Sequence, residues 1–297
     1  MKEFTLLSGK GGTGKTSLTA ALAALACDAV LCDNDVDAAD LHLILQPQIK
    51  QTTLFEGARV ASIDPEHCTG CGICADLCRY DAIHKSGDNT YTIDGFSCEG
   101  CRLCERVCPA GAIASERSTN NHWFVSETRF GTLIHAQMGP GEENSGKLVA
   151  LIRENARKVA QKQGTRYIIN DGPPGIGCAA ISSVTGTNHV LIVIEPTLSG
   201  LHDAIRLVKL VRDFHIDMSA VINKFDLNED ITREVEEFLD KNHIPLLARI
   251  PYDTAFTEAM IEGKTLVEYA HNSDTYHIIK SLWEQLKKRI KQNLPDN

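Results

Sequence analysis

The stretch LSGKGGTGKTS, Leu7–Ser17, contains the spacing G-x-x-x-x-G-K-[ST] in Gly9, Gly14, Lys15 and Thr16. That spacing builds a loop whose backbone N–H groups face phosphate oxygens, and Gly9, Gly11, Gly12 and Gly14 permit its tight path. Thr13 and Ser17 complete the run expected to line the phosphates. Lys15 is expected to meet the β- and γ-phosphates, and Thr16 to ligate Mg²⁺. Lys10, a second lysine among the glycines, is surplus to the pattern.

A second chemistry lies in the cysteines. Of eleven, eight fall between Cys68 and Cys108. Cys68, Cys71, Cys74 and Cys78 read C-x₂-C-x₂-C-x₃-C. Cys98, Cys101, Cys104 and Cys108 repeat that spacing, followed by Pro109. In this arrangement three thiolates on one tight loop hold a [4Fe–4S] cluster, and the fourth ligand comes from the other run. One cluster is therefore expected on Cys68, Cys71, Cys74 and Cys108, and the other on Cys98, Cys101, Cys104 and Cys78. Zinc binds C-x₂-C pairs too, but it does not call for two complete four-cysteine runs. Arg79 stands where the second run has Pro109. A cation beside Cys78 favours the more negative, reduced state, so the Cys78 cluster is expected to have the higher potential. Cys27 and Cys32 suit buried small-apolar roles, and Cys178 is expected to be a packed thiol.

These groups need elements to position them. Phe4–Leu7 is an apolar strand, the glycine loop follows, and a helix is expected from Lys15 to Ala26. Ala29–Asp33 is a second strand, with Asp33 and Asp35 at its carboxyl end. Tyr167–Asp171 is another, ending on Asp171. Ligands bind at the carboxyl ends of strands in open α/β sheets, and carboxylates there orient a Mg²⁺ shell or an attacking water. Asp37 and Asp40 are less specific, and Asp37 reads as a solvated turn residue. Further on come strand HVLIVIE, a helix after Ser199, strand SAVIN, helix DITREVEEFLDK, strand LLARI and a C-terminal helix. The alternation predicts an α/β fold, a mostly parallel sheet with helices on both faces.

The segment 61–115 breaks this rhythm. IDPEHCTGCGICADLCRYDAI is echoed by IDGFSCEGCRLCERVCPAGAI. A duplicated unit within an alternating chain reads as an insertion with its ends close together. The expected organisation is a P-loop domain in two parts, 1–60 and 116–297, interrupted by an α+β two-cluster domain of the bacterial ferredoxin type at 61–115.

Together KGGTGKT, the DND after an apolar strand, DGPPGIG and VINK resemble the deviant-Walker-A ATPases. That family includes the MinD and ParA proteins, the Mrp-type cluster carriers and the nitrogenase iron protein. The resemblance covers essentially all of the chain outside the insert. The whole is similar to MinD-superfamily ATPases with an inserted ferredoxin domain. It implies that Lys10 reaches across a dimer interface to the phosphates of the other subunit. It also implies that Asp35 positions the hydrolytic water while Asp33 and Asp171 help to hold Mg²⁺. Asn223 then matches the residue that reads the adenine of ATP, and Pro251 and Asp253, in IPYD, match the loop that packs against the base. The expected partner is a second copy or a related ATPase subunit.

The bulk composition narrows the role. A net charge of −9 argues against a main role in nucleic-acid binding. No apolar run reaches the roughly 18–20 residues of a membrane-spanning helix, and MKEFTLL is not a signal peptide. Metal-cluster spacing rather than disulfide spacing implies a reducing cytoplasm and suggests an anaerobe. On the C-terminal helix, Ile279, Leu282, Trp283, Leu286 and Ile290 share a face, with Lys287, Lys288, Arg289 and Lys291 near its end. That reads as a helix closing a domain rather than a membrane anchor. Gly139–Val149 reads as a polar connector with Ser145 capping a helix.

The expected function is ATP-controlled dimerisation that gates electron flow through two clusters to a redox partner protein. An iron–sulfur carrier is one alternative, although eight cysteines in two closed sets look like permanent wiring. A MinD-like spatial organiser is another, although it has no need of redox centres.

Overall fold

A computed structural model describes residues 1–57, 59–87, 89–139 and 145–292. The chain divides into two compact units. One contains Met1–Thr52, Trp123–Ala136 and the chain from Ser145 onward. The other contains Thr53–His122 with residues 137–139.

The first unit is built on a nine-stranded sheet among the described residues. Its order is Leu246–Ile250, Met218–Asn223, His189–Ile194, Lys2–Ser8, Tyr167–Pro174, Ala29–Asp33, Gly131–Gln137, Asn121–Thr128 and Gln48–Phe55. Every pairing from Leu246–Ile250 across to Gly131–Gln137 is parallel. The central strands are continuous apolar runs because helices cover both faces. Phe4, Leu6, Leu31, Ile169 and Leu191 pack into one hydrophobic cluster, and Leu7, Val190, Ile192, Ala220 and Ile222 into another. The register sets Asp171 directly beside Asp33, where Ala29–Asp33 ends; the strand expected to end on Asp171 instead runs on to Pro174.

The expected helix Lys15–Ala26 is present. The helix expected after Ser199 begins at Leu198, because the Thr197 side chain accepts the Gly200 N–H at 3.0 Å and caps it there. The strands Gln48–Phe55, Asn121–Thr128 and Gly131–Gln137 were not anticipated. Gln48–Phe55 is mostly polar and exposed, so periodicity carried no signal for it.

Ile279, Leu282, Leu286 and Ile290 of the C-terminal helix are almost fully buried in the core. Trp283 stacks edge-on against Tyr167, with ring centroids 5.3 Å apart. The helix closes the sheet, and its apolar face is covered. The Lys291 side chain lies outside the described residues, as does most of the expected connector, residues 140–144. The helix after that connector runs Ser145–Gln163.

In the cysteine-rich unit, which extends on both sides of 61–115, the described residues form two antiparallel strand pairs. Arg59–Ile63 pairs with Ile113–Arg117, and Ile83–Lys85 with Tyr91–Ile93. Each pair joins the opening of one sequence repeat to the close of the other. Backbone conformations repeat as well. Gly70 and Gly100, Gly72 and Arg102, and Asp81 and Gly111 are equivalent pairs, and all six residues have positive φ.

Candidate functional site

The glycine loop leaves strand Lys2–Ser8 and turns into helix Lys15–Ala26 through Gly14, whose φ of 85° is left-handed. A Cβ there would also sit 2.4 Å from Asn223 Nδ2. Gly9 is pressed against Asp203 of helix Leu198–Asp213, where a Cβ would come within 2.1 Å of Asp203 Cβ. Both positions therefore exclude side chains.

Lys15 and the acidic strand ends meet. Lys15 Nζ lies 2.9 Å from Asp171 Oδ1 and 3.8 Å from Asp35 Oδ2. Thr16 Oγ1 donates to Asp171 Oδ2 at 2.7 Å, and Thr19 Oγ1 donates to Asp171 Oδ1 at 2.8 Å. Asp33 is fully buried, and its oxygens accept the backbone N–H groups of Asp35 and Leu41, each at 3.2 Å. Burial pushes the Asp33 carboxyl well up, and the neighbouring Asp171 adds to the rise. Burial likewise raises Asp35, to about 6, against the opposing pull of Lys15. Burial opposes the charge of Lys15, but Asp171, Asp35 and Asp33 outweigh it and raise its pKa. The site is thus a cation held by converging acids.

Lys15, Thr16 and Asp35 open onto a cleft of about 510 Å³, within the range of small-ligand pockets, whereas Asp33, Asp171 and Thr19 are fully buried. Its walls include Lys10 and the loop from Gly11 to Ser17, Asp35, Asp40, Asn223, Pro251 and Asp253. Asn223 Nδ2 donates to Thr13 O at 2.7 Å, while its Oδ1 is buried without a hydrogen-bond partner. Asp253 accepts from Ala255 N at 2.9 Å and from Thr275 Oγ1 at 2.6 Å, so in this state its side chain shapes the turn. Asp37 is exposed.

Lys10 does not extend freely. Its Nζ lies 2.7 Å from Glu195 Oε2 and donates to Thr197 Oγ1 at 3.1 Å. Lys224 Nζ grips the other oxygen of Glu195 at 3.0 Å and donates to Gly12 O at 2.9 Å. Glu195, Thr197, Lys224 and Thr19 were missed in the sequence. Glu195 carried a usable signal, since it closes the apolar run HVLIVIE as Asp33 closes AVLCD.

Among the described residues, no three of His, Cys, Asp and Glu converge as the ligands of a single ion. Mg²⁺ takes only one or two protein oxygens beside phosphates, and Thr16 Oγ1 and Asp171 Oδ2 are hydrogen-bonded to each other.

All eleven cysteines are free, and the eight of the two runs lie in the second unit. Burial raises the Cys74 thiol, and the charges of Cys71 and Cys108 contribute to the rise. Cys108 of the second run packs against the small apolar cluster that holds Cys74 of the first. Burial also raises Cys104, with Cys98 and Cys101 contributing. Cys78 and Cys74 of the first run share a cavity of about 30 Å³ with Cys98, Cys101 and Cys104. The Ala112 N–H donates to Cys108 Sγ at 3.3 Å. The donor set and its crossing between runs fit two four-iron clusters. Arg79 is exposed beside Cys78.

The remaining cysteines differ from expectation in part. Cys32 is buried, but Cys27 is exposed, where the chain leaves the first helix in a left-handed conformation. Cys178 is exposed rather than packed, because it opens the short helix Cys178–Val184 at the surface.

A family model described as the CobQ/CobB/MinD/ParA nucleotide binding domain matches residues 4–267. The chain belongs to this family. It is a MinD/ParA-type P-loop ATPase with an α/β, mostly parallel sheet. It is similar to an uncharacterized protein of Methanocaldococcus jannaschii, at 33% identity over 97% of each chain. In fold it is similar to MinD complexed with Mg-ADP from Pyrococcus horikoshii, with a TM-score of 0.59, 18% identity and 99% of each chain covered. A short stretch of 35 residues, 12% of this MinD/ParA-type chain, is 46% identical to a ferredoxin of Mycobacterium bovis and covers 31% of it.

Proposed function

We propose that this ATPase couples nucleotide-dependent dimerisation to electron transfer through two [4Fe–4S] clusters. The observation that carries the reading is the meeting of the two runs in the cysteine-rich unit: Cys108 packs against the cluster that holds Cys74, and Cys78 and Cys74 line a cavity with Cys98, Cys101 and Cys104. The interlaced strand pairs and the local likeness to a ferredoxin support it. When bound, the clusters would supply reversible one-electron redox chemistry.

Each residue of the nucleotide site then has a task. The backbone of Gly9–Gly14 and Lys15 hold the phosphates of ATP. Thr16 holds Mg²⁺, with Asp33 and Asp171 orienting its surroundings. Asp35 orients the attacking water, and ATP with water gives ADP and phosphate. Lys15 leaves Asp171 for the phosphates when ATP enters, which frees Asp171. Lys10 stabilises charge on the phosphates of the partner subunit, in the manner of an arginine finger. Asn223, Pro251 and Asp253 face the adenine. Electrons enter from a donor protein and leave to an acceptor of higher potential, through a dimer geometry that ATP sets.

The fold likeness to MinD favours a second reading, a spatial organiser. The buried apolar face of the C-terminal helix argues against membrane recruitment through that helix. Anaerobic measurement of ATP turnover with the protein oxidised and then reduced, alongside the redox midpoints with and without nucleotide, separates the two. Coupling is expected to change turnover several-fold and to shift a midpoint. Turnover indifferent to redox state, an unmoved midpoint and ATP-dependent binding to liposomes would establish the organiser instead.

A further inference from the structure

Glu195 is the residue at which three parts of the nucleotide site are tied. It leaves strand His189–Ile194 just before Thr197, which caps the next helix. One of its oxygens takes Lys10 at 2.7 Å and the other takes Lys224 at 3.0 Å. Lys224 is itself anchored to the glycine loop through Gly12 O at 2.9 Å. The Glu195 carboxylate is 14% exposed, against 31% for Lys10 and 24% for Lys224. Burial disfavours its charge, but hydrogen bonds from the two lysines prevail and hold its pKa low. It is therefore an ionised group with both oxygens occupied by cations.

Glu195 and Thr197 take two of the three N–H donors of Lys10, so reaching a phosphate of the partner subunit requires it to leave them. Its release needs a competing anion, and a charge-assisted contact to phosphate is strong enough to compete with a partly buried ion pair. A triphosphate presents one more anionic group than a diphosphate. We infer that Glu195 is a positioning residue that holds Lys10 in the resting subunit and yields it to a terminal phosphate, so that it sets the discrimination between ATP and ADP in dimer formation. The inference rests on the dimer reading proposed above. Lys224 keeps Glu195 in place after Lys10 departs, which lets the pair re-form when the terminal phosphate is lost.

Two measurements on the full chain test this. The first follows acylation of Lys10 in nucleotide-free protein by mass spectrometry, with exposed Lys50 as the internal standard. Glu195→Gln removes the charge but keeps the shape, and it is expected to speed Lys10 labelling about threefold. Glu195→Asp, which keeps the charge, is expected to stay near the wild-type rate. The second titrates dimerisation by sedimentation velocity with a non-hydrolysable ATP analogue and with ADP. Glu195→Gln is expected to need about threefold less analogue than wild type and to begin to dimerise with ADP. Adding Lys10→Ala is expected to abolish both gains, which a merely structural role for Glu195 would not produce. Unchanged labelling in Glu195→Gln overturns the inference, as do superimposable titrations in a wild type that does dimerise. A wild type that stays monomeric with the analogue sinks the dimer reading, and with it the discrimination attributed to Glu195. The labelling then decides the resting contact by itself.

Discussion

Gly14 carries more of the nucleotide site than its size suggests. Its left-handed φ of 85° turns the loop into the helix, and the missing side chain leaves room for the Asn223 amide that holds Thr13 O. Gly14→Ala would cost about 1–2 kcal/mol for the left-handed conformation and would drive its Cβ into Asn223. Nucleotide affinity is expected to fall about tenfold or more, as each 1.4 kcal/mol is tenfold. Titration with a fluorescent ATP analogue measures this, and thermal unfolding checks that the rest of the chain still folds. At this scale much was legible. Lys15, Thr16, Asp33, Asp35 and Asp171 were all named by spacing or by strand ends. Lys224 was not, because its role depends on Gly12 O, distant in sequence, coming within hydrogen-bond reach.

Elements impose a different behaviour on two histidines. His135 of Gly131–Gln137 and His189 of His189–Ile194 are buried and bonded to Ser126 at 2.9 Å and Ser219 at 2.8 Å. Burial lowers each to about 4, with smaller contributions from His42 at His135 and from Arg289 at His189. The unfolded chain takes up these protons near pH 6.5, but the folded chain does so only near 4. Their contribution to stability is therefore complete above about pH 6.5 and drains as the pH falls toward 4. The unfolding temperature, followed by the fluorescence of core Trp283, is expected to drop steadily between pH 7 and 5. Replacing both histidines with Gln is expected to flatten that slope; an unchanged slope would assign it to other groups. Neither histidine was singled out in the sequence, since burial of a polar residue on a strand depends on what covers it.

For the whole molecule, the test is whether the two cysteine runs act as one interlaced unit. Cys108→Ser should weaken the cluster site of Cys68, Cys71 and Cys74, not that of its own run. Cys78→Ser should do the converse. Wild type reconstituted without oxygen is expected to hold about eight iron atoms per chain, and each variant about four or five. Paramagnetic spectra of the reduced protein should show which site remains. If Cys108→Ser instead damaged the site of Cys98, Cys101 and Cys104, the crossing would be wrong. The spacing made the eight cysteines legible. The strand pairs that join the repeats, and the extension of the unit on both sides of 61–115, lay in short or weakly patterned strands.

By itself the sequence determined the phosphate loop, the acidic strand ends, the two cysteine runs and the parallel α/β plan. Each of these is a short-range pattern whose chemistry depends on residue type and spacing. Only the tertiary structure decided where Lys10 rests, that Glu195 and Lys224 hold it, that Cys27 and Cys178 are exposed, and that the apolar stripe of the last helix is core. Those outcomes depend on groups distant in sequence meeting across the sheet, and on which surfaces the packed helices remove from water. Residue spacing along one segment specifies neither.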